Sequence, residues 1–278
     1  MAAADGITRG ITLTSVANPR VKDLVRLRTR RARDEAGVTL VEGHDELRLA
    51  LRAGVVPRTL YWAPGIVTPE RCGVVDELAA RGVSVVGVSD AVFAKIAYRE
   101  SPDGLLAVAD APGRPLADLV LRPDPLVLVG EGIEKPGNLG AMLRTAEAFG
   151  VDAVVAASPA TDLGNPNVVR ASKGTVFAVP VAAAASQDVL AWLRDRGLAV
   201  VVTTPAGDAA IGATDLTGPT AIVVGAESAG VTDLWLRAAD ARVVIPMRGR
   251  VNSLNAATAA ALALYEADRQ RAALAPGG

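Results

Sequence analysis

The feature that most constrains the fold is a regular alternation of short apolar runs and helical patterns in the second half of the chain. Short continuous runs rich in β-branched residues are typical of strands that are buried on both faces of a parallel sheet. The predicted strands are 126–129, 151–157, 198–203, 221–224 and 243–245, and the predicted helices are 139–149, 187–196, 232–239 and 254–271. This alternation predicts an α/β domain built on a parallel sheet.

The first half of the chain predicts a second, smaller α/β domain. A helix is expected to open at Asn18-Pro19 and to run to the low 30s. Strands are expected at 59–62, 83–88 and 105–109, with helices near 45–52, 69–81 and 91–98. The segment 111–125 contains four prolines and one glycine, as linkers often do. We therefore predict a flexible N-terminus over 1–15, a domain over 16–110, a linker over 111–124 and a second domain over 125–275.

The chain has one histidine, His44, and one cysteine, Cys72, and this limits its chemistry. Two such residues cannot build a His/Cys metal site or an internal disulfide. A Ser-His-Asp triad would have to use His44, which is predicted to lie in the first turn of a helix. No apolar run approaches the roughly 20 residues that span a bilayer, and the N-terminus lacks a secretory signal pattern. We expect a soluble cytoplasmic protein that needs no metal and does not enter a membrane.

Positive charge is concentrated near the N-terminus, although the formal net charge of the chain is only -1. The segment 20–33 holds seven Lys and Arg residues against one acid, Asp23. Such a cluster is typical either of a phosphate-binding surface or of a solvated helix face, and composition alone favours neither. The basic residues of this segment are Arg20, Lys22, Arg26, Arg28, Arg30, Arg31 and Arg33.

Polar, glycine-bearing segments follow three of the predicted strands of the second domain, at 130–150, 223–236 and 245–255. In open α/β sheets ligands bind beyond the carboxyl ends of the strands, so these segments predict the site. The first of them matches neither common nucleotide motif. A P-loop needs Lys-Ser/Thr where Asn138 follows Gly137, and a dinucleotide fingerprint needs a glycine at Lys135.

The first polar segment continues into a predicted helix with Asn138 as N-cap and Gly150 as the residue that ends it. Arg144 lies away from the apolar stripe of this helix, on the side of Gly140. From there its guanidinium could reach a phosphate or a carboxylate. The alternative is a surface arginine paired with Glu147.

Taken together, these segments resemble the SpoU/TrmH family of S-adenosylmethionine-dependent RNA ribose 2′-O-methyltransferases, within the SPOUT superfamily. The resemblance extends over 126–271, and the first domain is more weakly similar to the family's small α/β substrate-binding domain, itself similar to a large-subunit ribosomal protein. The matching segments are GNLGAMLRTA (137–146), RASKG (170–174), GAESAG (225–230), IPM (245–247), SLN (253–255), LVEGH (40–44) and ALRAG (50–54).

The resemblance implies a SPOUT-type parallel-sheet domain with a deep trefoil knot, an exception to the rule that chains do not knot. It implies S-adenosylmethionine as cofactor, a ribose 2′-hydroxyl of RNA as acceptor, and a homodimer. The implied catalytic residues are Asn138, Arg144, Glu227, Ser253 and Asn255, and the implied cofactor-binding residues are Gly225, Ile245, Met247 and Leu254. The RNA-binding residues that we expect are Arg20, Lys22, Arg26, Arg28, Arg30, Arg31, Arg170 and Lys173.

The separate first domain is most similar to that of family members that act on ribosomal RNA, several of which confer resistance to ribosome-targeting antibiotics. We therefore expect 23S ribosomal RNA as substrate. The alternatives are a tRNA 2′-O-methyltransferase and a non-catalytic protein that binds RNA or the ribosome. The Ala- and Leu-rich stretch 254–265 predicts a helix buried on two sides, with Ala260 facing a partner subunit.

Two positions depart from the usual family pattern, Ser228 in place of a glycine and 256–258 in place of Val-Ser-Val; both keep small side chains. Arg144 is the family's proposed general base, but an arginine normally keeps its proton. We therefore expect Arg144 to anchor the RNA phosphate beside the target ribose while Ser253 and Asn255 orient the hydroxyl. Whether Arg144 or a water accepts the proton is left open by the sequence.

Overall fold

The computed structural model describes residues 13–250 and 252–274, so most of the N-terminus predicted over 1–15 lies outside the described residues. Its helices are α1 (Pro19–Arg26), α2 (Arg30–Ala36), α3 (His44–Arg52), α4 (Pro69–Ala80), α5 (Asp90–Ile96), α6 (Pro136–Ala148), α7 (Pro166–Ala171), α8 (Ser186–Asp195), α9 (Asp233–Ala238) and α10 (Ala256–Ala272). Its strands are β1 (Val38–Glu42), β2 (Thr59–Trp62), β3 (Ser84–Gly87), β4 (Leu105–Asp110), β5 (Leu126–Glu131), β6 (Ala153–Ala157), β7 (Val181–Ala184), β8 (Ala199–Thr203), β9 (Ala209–Ala210), β10 (Thr220–Gly225) and β11 (Ala241–Val244).

The first of two compact units consists of the chain up to Pro112 together with Gly164–Ala178. Its four-stranded sheet has the order β1-β4-β2-β3, in which β4 runs antiparallel to β1 and β2. All five residues of β1 are buried, and α7 packs against this strand. The Thr39 hydroxyl also donates to the carbonyl of Gly164 at 2.6 Å. The segment 170–174, placed in the second domain from sequence, thus packs within this unit.

The basic N-terminal segment forms two helices, so the expectation of one continuous helix is wrong. Asn18 caps α1 as predicted, accepting from Arg20 N at 2.9 Å. The chain then turns at 27–29, and Thr29 caps α2 by accepting from Ala32 N. A side chain that can satisfy the free N–H groups of a new helix end allows this restart.

The second unit, Gly113–Leu163 and Val179–Gly278, contains a seven-stranded sheet of order β7-β6-β5-β10-β8-β11-β9. All its strand pairs are parallel, which confirms the predicted α/β class. Strand β5, the third in this order, is buried along its whole length, and Glu131 at its carboxyl end pairs with Gly225 of β10. Helices α6 and α10 pack against each other, and α10 also packs on β10.

Two details of these helices differ from the sequence prediction. Helix α6 begins at Pro136 with Lys135 as N-cap, so Asn138 lies inside the first turn and is not the cap. Proline is favoured there because the first helical N–H needs no partner. Ala260 of α10 is 0% exposed, so it faces the unit's own core and not outward; the outward apolar residues are Leu262 and Tyr265. Among the described residues, no helix is both long and apolar enough to cross a membrane.

Candidate active site

A cavity of about 430 Å³ opens at the carboxyl ends of three neighbouring strands, β8, β10 and β11. Its volume is in the range that small-molecule sites occupy. Four chain segments line it, 203–205, 224–231, 244–247 and 253–259, together with Leu236 of α9. The cavity therefore lies where an open parallel sheet is expected to bind its ligand.

The four residues predicted to bind the cofactor, Gly225, Ile245, Met247 and Leu254, all line this cavity. Gly225 is required by close packing, because a Cβ there would overlap the carbonyl carbon of Gly230 and the nitrogen of Val231. The turn after β10 thus folds back onto the end of its own strand. Ile245, Met247 and Leu254 supply apolar walls.

Three of the predicted catalytic side chains, Asn138, Glu227 and Asn255, are joined by hydrogen bonds. The Asn255 Nδ2 group donates to Glu227 Oε1 at 2.8 Å and to Asn138 Oδ1 at 3.1 Å. The Asn138 Nδ2 group donates to the same Glu227 oxygen. Since Glu227 lines the cavity, this Asn–Glu–Asn cluster borders it.

The orientation of the Asn255 amide follows from its place in the chain. Asn255 is the N-cap of α10, and its Oδ1 accepts from Ala257 N at 3.0 Å and from Thr258 N at 3.3 Å. The helix N–H groups fix the oxygen on one side, so the Nδ2 group must point to the cluster. The same residue therefore begins the helix and supplies two donors to the site.

The chain matches the SpoU rRNA Methylase family over residues 125–265, and the MRM3-like substrate binding domain over residues 18–107. The chain belongs to the SpoU rRNA methylase family. It is 32% identical to the 23S rRNA (uridine(2479)-2′-O)-methyltransferase of Streptomyces viridochromogenes, over 88% of this chain and 87% of that protein.

Solved structures agree with this membership. One is described as an RNA 2′-O ribose methyltransferase; it has 42% identity and a TM-score of 0.82, covering 94% of this chain and 100% of that chain. Another is an AdoMet-bound rRNA methyltransferase from Sinorhizobium meliloti, with 33% identity and a TM-score of 0.84. It covers 93% of this chain and 97% of that chain.

The other two residues that the SpoU resemblance implied as catalytic lie outside the hydrogen-bonded cluster. Ser253 is exposed and lines the cavity. Arg144 is exposed on α6, six residues beyond Asn138 and thus about 9 Å further along the helix axis. Within the described residues 13–250 and 252–274, Arg144 forms no ion pair, so the alternative of pairing with Glu147 is not realised. Its guanidinium is left available to an external anion.

The departure at Ser228 is accommodated without backbone strain, because this residue does not adopt a left-handed conformation. Its hydroxyl donates to Glu134 Oε1 at 3.0 Å. The serine thus connects the turn after β10 to the loop after β5, a contact that a glycine could not make.

The residues predicted to bind RNA all lie in the first unit and differ in their partners. Arg26, Arg30 and Arg31 pair with acids three or four residues away on their own helices, and such exposed pairs are weak. Arg28 instead donates to the carbonyls of Lys95 and Ala97, both at 2.9 Å, and stacks on Tyr98. Among the described residues of this predicted set, those without an ion pair are Arg28 and four others, Arg20, Lys22, Arg170 and Lys173.

Arg33 is one of the seven basic residues of segment 20–33, but it is only 3% exposed and so adds no positive charge to the surface of that segment. Its guanidinium donates to the carbonyls of Leu27 and Arg28, both at 3.0 Å, and so holds the turn between α1 and α2. A charge run in a sequence does not reveal which of its members closes such a turn.

Sequence reasoning missed the cavity residues Thr203, Thr204 and Pro205, which lie at the end of β8 and directly after it. The sequence did contain a signal for these residues, since two hydroxyl residues and a proline at the end of a predicted strand form a polar loop at its carboxyl end.

The sequence also predicted that the protein needs no metal. In the part of the chain that the structure describes, no group of three or more His, Cys, Asp and Glu is placed to hold one.

Proposed function

We propose that this protein transfers the methyl group of S-adenosylmethionine to a ribose 2′-hydroxyl of 23S ribosomal RNA. The observation that carries the proposal is the Asn138–Glu227–Asn255 cluster at the border of a cavity at the carboxyl ends of parallel strands. Relatives named as 23S rRNA 2′-O-methyltransferases, from Streptomyces viridochromogenes and Bacillus subtilis, and an AdoMet-bound relative support the same assignment.

The cavity suits this cofactor. Ile245, Met247 and Leu254 offer apolar surface for a flat adenine ring, and Gly225 lets backbone groups approach closely. The carboxylate of Glu227 lies on the same cavity wall and would attract a positively charged sulfonium. When bound, the cofactor supplies an electrophilic methyl group. We propose that Gly225, Ile245, Met247 and Leu254 hold it.

Catalysis by this chain would be mainly a matter of positioning. The new bond forms from a lone pair of the 2′-oxygen to the methyl carbon, the carbon–sulfur pair returns to sulfur, and the hydroxyl proton leaves. Ser253, which lines the cavity, is proposed to orient the hydroxyl directly, and Asn255 to act with it as part of the Asn138–Glu227–Asn255 cluster, in which both N–H bonds of its Nδ2 group are held by Glu227 and Asn138. Arg144 anchors the adjacent phosphate, and because it normally keeps its proton we propose that water accepts the proton of the hydroxyl.

The RNA would be held by the cations of the first unit. Lys22, Arg26, Arg30 and Arg31 are exposed. Lys22 has no ion pair with the described residues to give up, and the three arginines can exchange their weak local pairs for phosphates. Arg20, Arg170 and Lys173 are proposed to join them. The acceptor itself selects RNA over DNA, since only RNA carries the 2′-hydroxyl.

We also infer a homodimer and a trefoil knot, as the resemblance implies. Support for the dimer is an exposed apolar patch on α10, where Leu262 is 41% and Tyr265 56% exposed, and where Tyr265 meets Phe149 edge-on at 6.3 Å. Support for the knot is that Asn255, the N-cap of α10, bonds to the first turn of α6 and to the turn after β10, while Arg271 in the last turn of α10 donates to the carbonyl of Asp124. A continuous backbone trace through 244–256 in an experimental structure tests the knot.

The test of the proposed function is methyl transfer from radiolabelled S-adenosylmethionine to 23S ribosomal RNA, with tRNA as the competing substrate. We expect label in ribosomal RNA, at a 2′-oxygen when the modified nucleotide is mapped. Label in tRNA alone would overturn the substrate assignment. RNA binding without cofactor binding in isothermal titration would favour the non-catalytic alternative. The expected link to antibiotic resistance is tested by comparing inhibitory concentrations with and without the gene.

A further inference from the structure

Glu131 ends β5 beside the proposed site, and the mechanism above gives it no role. It is only 4% exposed, so its carboxylate is stable there only if its oxygens are bonded. Both are. Oε2 accepts from Thr232 N at 2.7 Å, and Oε1 accepts from the Thr232 hydroxyl at 2.8 Å and the Ser186 hydroxyl at 3.1 Å.

Thr232 joins two parts of the cavity wall. It follows the 226–231 turn, whose residues all line the cavity, and it is the N-cap of α9, which contributes Leu236. A threonine at this position ordinarily uses its hydroxyl to cap its own helix. Here the Thr232 hydroxyl makes no capping bond and donates to Glu131 Oε1 instead.

The start of the 226–231 turn also lies next to Glu131. Gly225 is the register partner of Glu131 across β5 and β10, and the turn packs back on Gly225 so closely that no Cβ fits. On the opposite side, Ser186 is held by Ser158, whose hydroxyl accepts from Ser186 N at 3.0 Å. Glu131 is therefore fixed between the start of α8 and the turn that it holds.

We propose that Glu131 is a positioning residue for the cofactor cavity. Its carboxylate fixes Thr232, and through Thr232 it sets the 226–231 turn and the start of α9 as one wall. The inference rests on the proposed function, because it takes the cavity to be the S-adenosylmethionine site. It assigns Glu131 no contact with cofactor or RNA.

The test compares two apolar replacements in the full-length protein. Glu131→Met keeps the length of the side chain and removes every acceptor. Asp152→Leu removes the other buried carboxylate associated with β5, which accepts from Leu126 N at 2.8 Å at the amino end of that strand. Both should lower the thermal midpoint, but only Glu131→Met acts at the cavity end.

We expect isothermal titration with S-adenosylmethionine to show about tenfold weaker binding for Glu131→Met, because the cavity wall formed by 226–231 and the start of α9 loses the hydrogen bonds that hold it in place. In kinetics, the cofactor KM should rise about as much, while the RNA KM and kcat at saturating cofactor stay within about twofold of the wild type. Asp152→Leu should leave cofactor binding unchanged. Glu131→Gln should restore binding, since its oxygen can accept from Thr232 N and its amide can donate to the two hydroxyls.

Equal cofactor affinity in Glu131→Met and Asp152→Leu would overturn the inference, as would a loss of kcat without a change in cofactor KM. If Glu131→Met does not fold, cofactor titration of Thr232→Val and Thr232→Ser tests the inference in its place. The valine variant should weaken cofactor binding and the serine variant should not, and equal affinities would contradict the proposal. Absence of cofactor binding in the wild type would instead refute the proposed function.

Discussion

Asn255 donates through Nδ2 to Glu227 while its Oδ1 caps the helix that begins at the next residue. One side chain thus carries a structural bond on its oxygen and a site bond on its nitrogen. The two tasks can be separated by substitution, because an aspartate caps a helix as well as an asparagine does.

Asn255→Asp should therefore fold normally and lose methyl transfer. The new carboxylate keeps the cap but places an oxygen opposite Glu227 and Asn138, where a donor is needed. We expect at least about a 100-fold fall in kcat/KM, the order found when one positioned donor is removed. Asn255→Ala is the control, since it loses both roles and about 1 kcal/mol of stability. Melting curves with methyl incorporation check this, and an active Asn255→Asp would contradict the assignment.

Arg144→Ala should abolish transfer and leave cofactor binding intact, because Arg144 lies away from the cavity and is expected to contact RNA. Arg144→Lys should also be poor, since an ammonium lacks the planar fork of a guanidinium. Glu147→Gln on the same helix is a control expected to be neutral. Titration with cofactor and RNA kinetics provide the measurements. A large loss of cofactor affinity in Arg144→Ala would show that its role is misplaced.

Replacing Lys22, Arg26, Arg30 and Arg31 together by alanine should weaken RNA binding and flatten its salt dependence. The log–log slope should fall by up to about 0.7 to 0.9 for each RNA phosphate that the protein no longer neutralises. Arg28 is left unchanged because it holds the carbonyls of Lys95 and Ala97. Filter binding from low to moderate salt measures the slope. An unchanged slope would make this segment a solvated helix face.

Asp152 should make the second unit sensitive to acid. Burial opposes ionisation of this carboxylate, but hydrogen bonds from Arg122 and from Leu126 N outweigh it and hold its pKa below the ordinary value. A lowered pKa contributes stability that is present above the pKa of the unfolded chain, about 3.9, and is lost as the pH falls through the folded value. Urea unfolding at several pH values should show this loss in the wild type and not in Asp152→Asn.

Leu262→Asp should convert the proposed dimer into folded monomers, whereas Ala260→Asp should unfold the second unit. The two residues lie two positions apart on α10, but Leu262 is 41% exposed and Ala260 is buried in its own core. A buried unpaired charge costs several kcal/mol. Sedimentation of the wild type at micromolar concentration should give twice the chain mass. A fully active wild-type monomer would refute the dimer.

Features of the fold and the site could be predicted from the sequence where interactions between residues close in the chain determine them, and not where distant residues do. The strand Thr59–Trp62 and the end of α6 at Gly150, with its φ of +60°, follow from short-range pattern and were predicted. The link between Asn138 and Glu227 spans 89 residues and came only from the resemblance. The burial of Ala260 could not be predicted, since an Ala-rich helix has no marked apolar side and its packing on α6 and β10 decides which residues are covered.

The return of Gly164–Ala178 to the first unit has a consequence for the order in which the protein can mature. Domains emerging from the ribosome commonly fold from the N-terminus onward. Here β1 acquires its covering helix α7 only after Pro166–Ala171 has been synthesised, and the strands β5 and β6 of the other sheet are made before it. Until then β1, an edge strand of the first sheet, lacks the helix that packs on it, and an unprotected edge strand invites pairing with other chains. Newly made protein should be most prone to aggregate during that interval of translation.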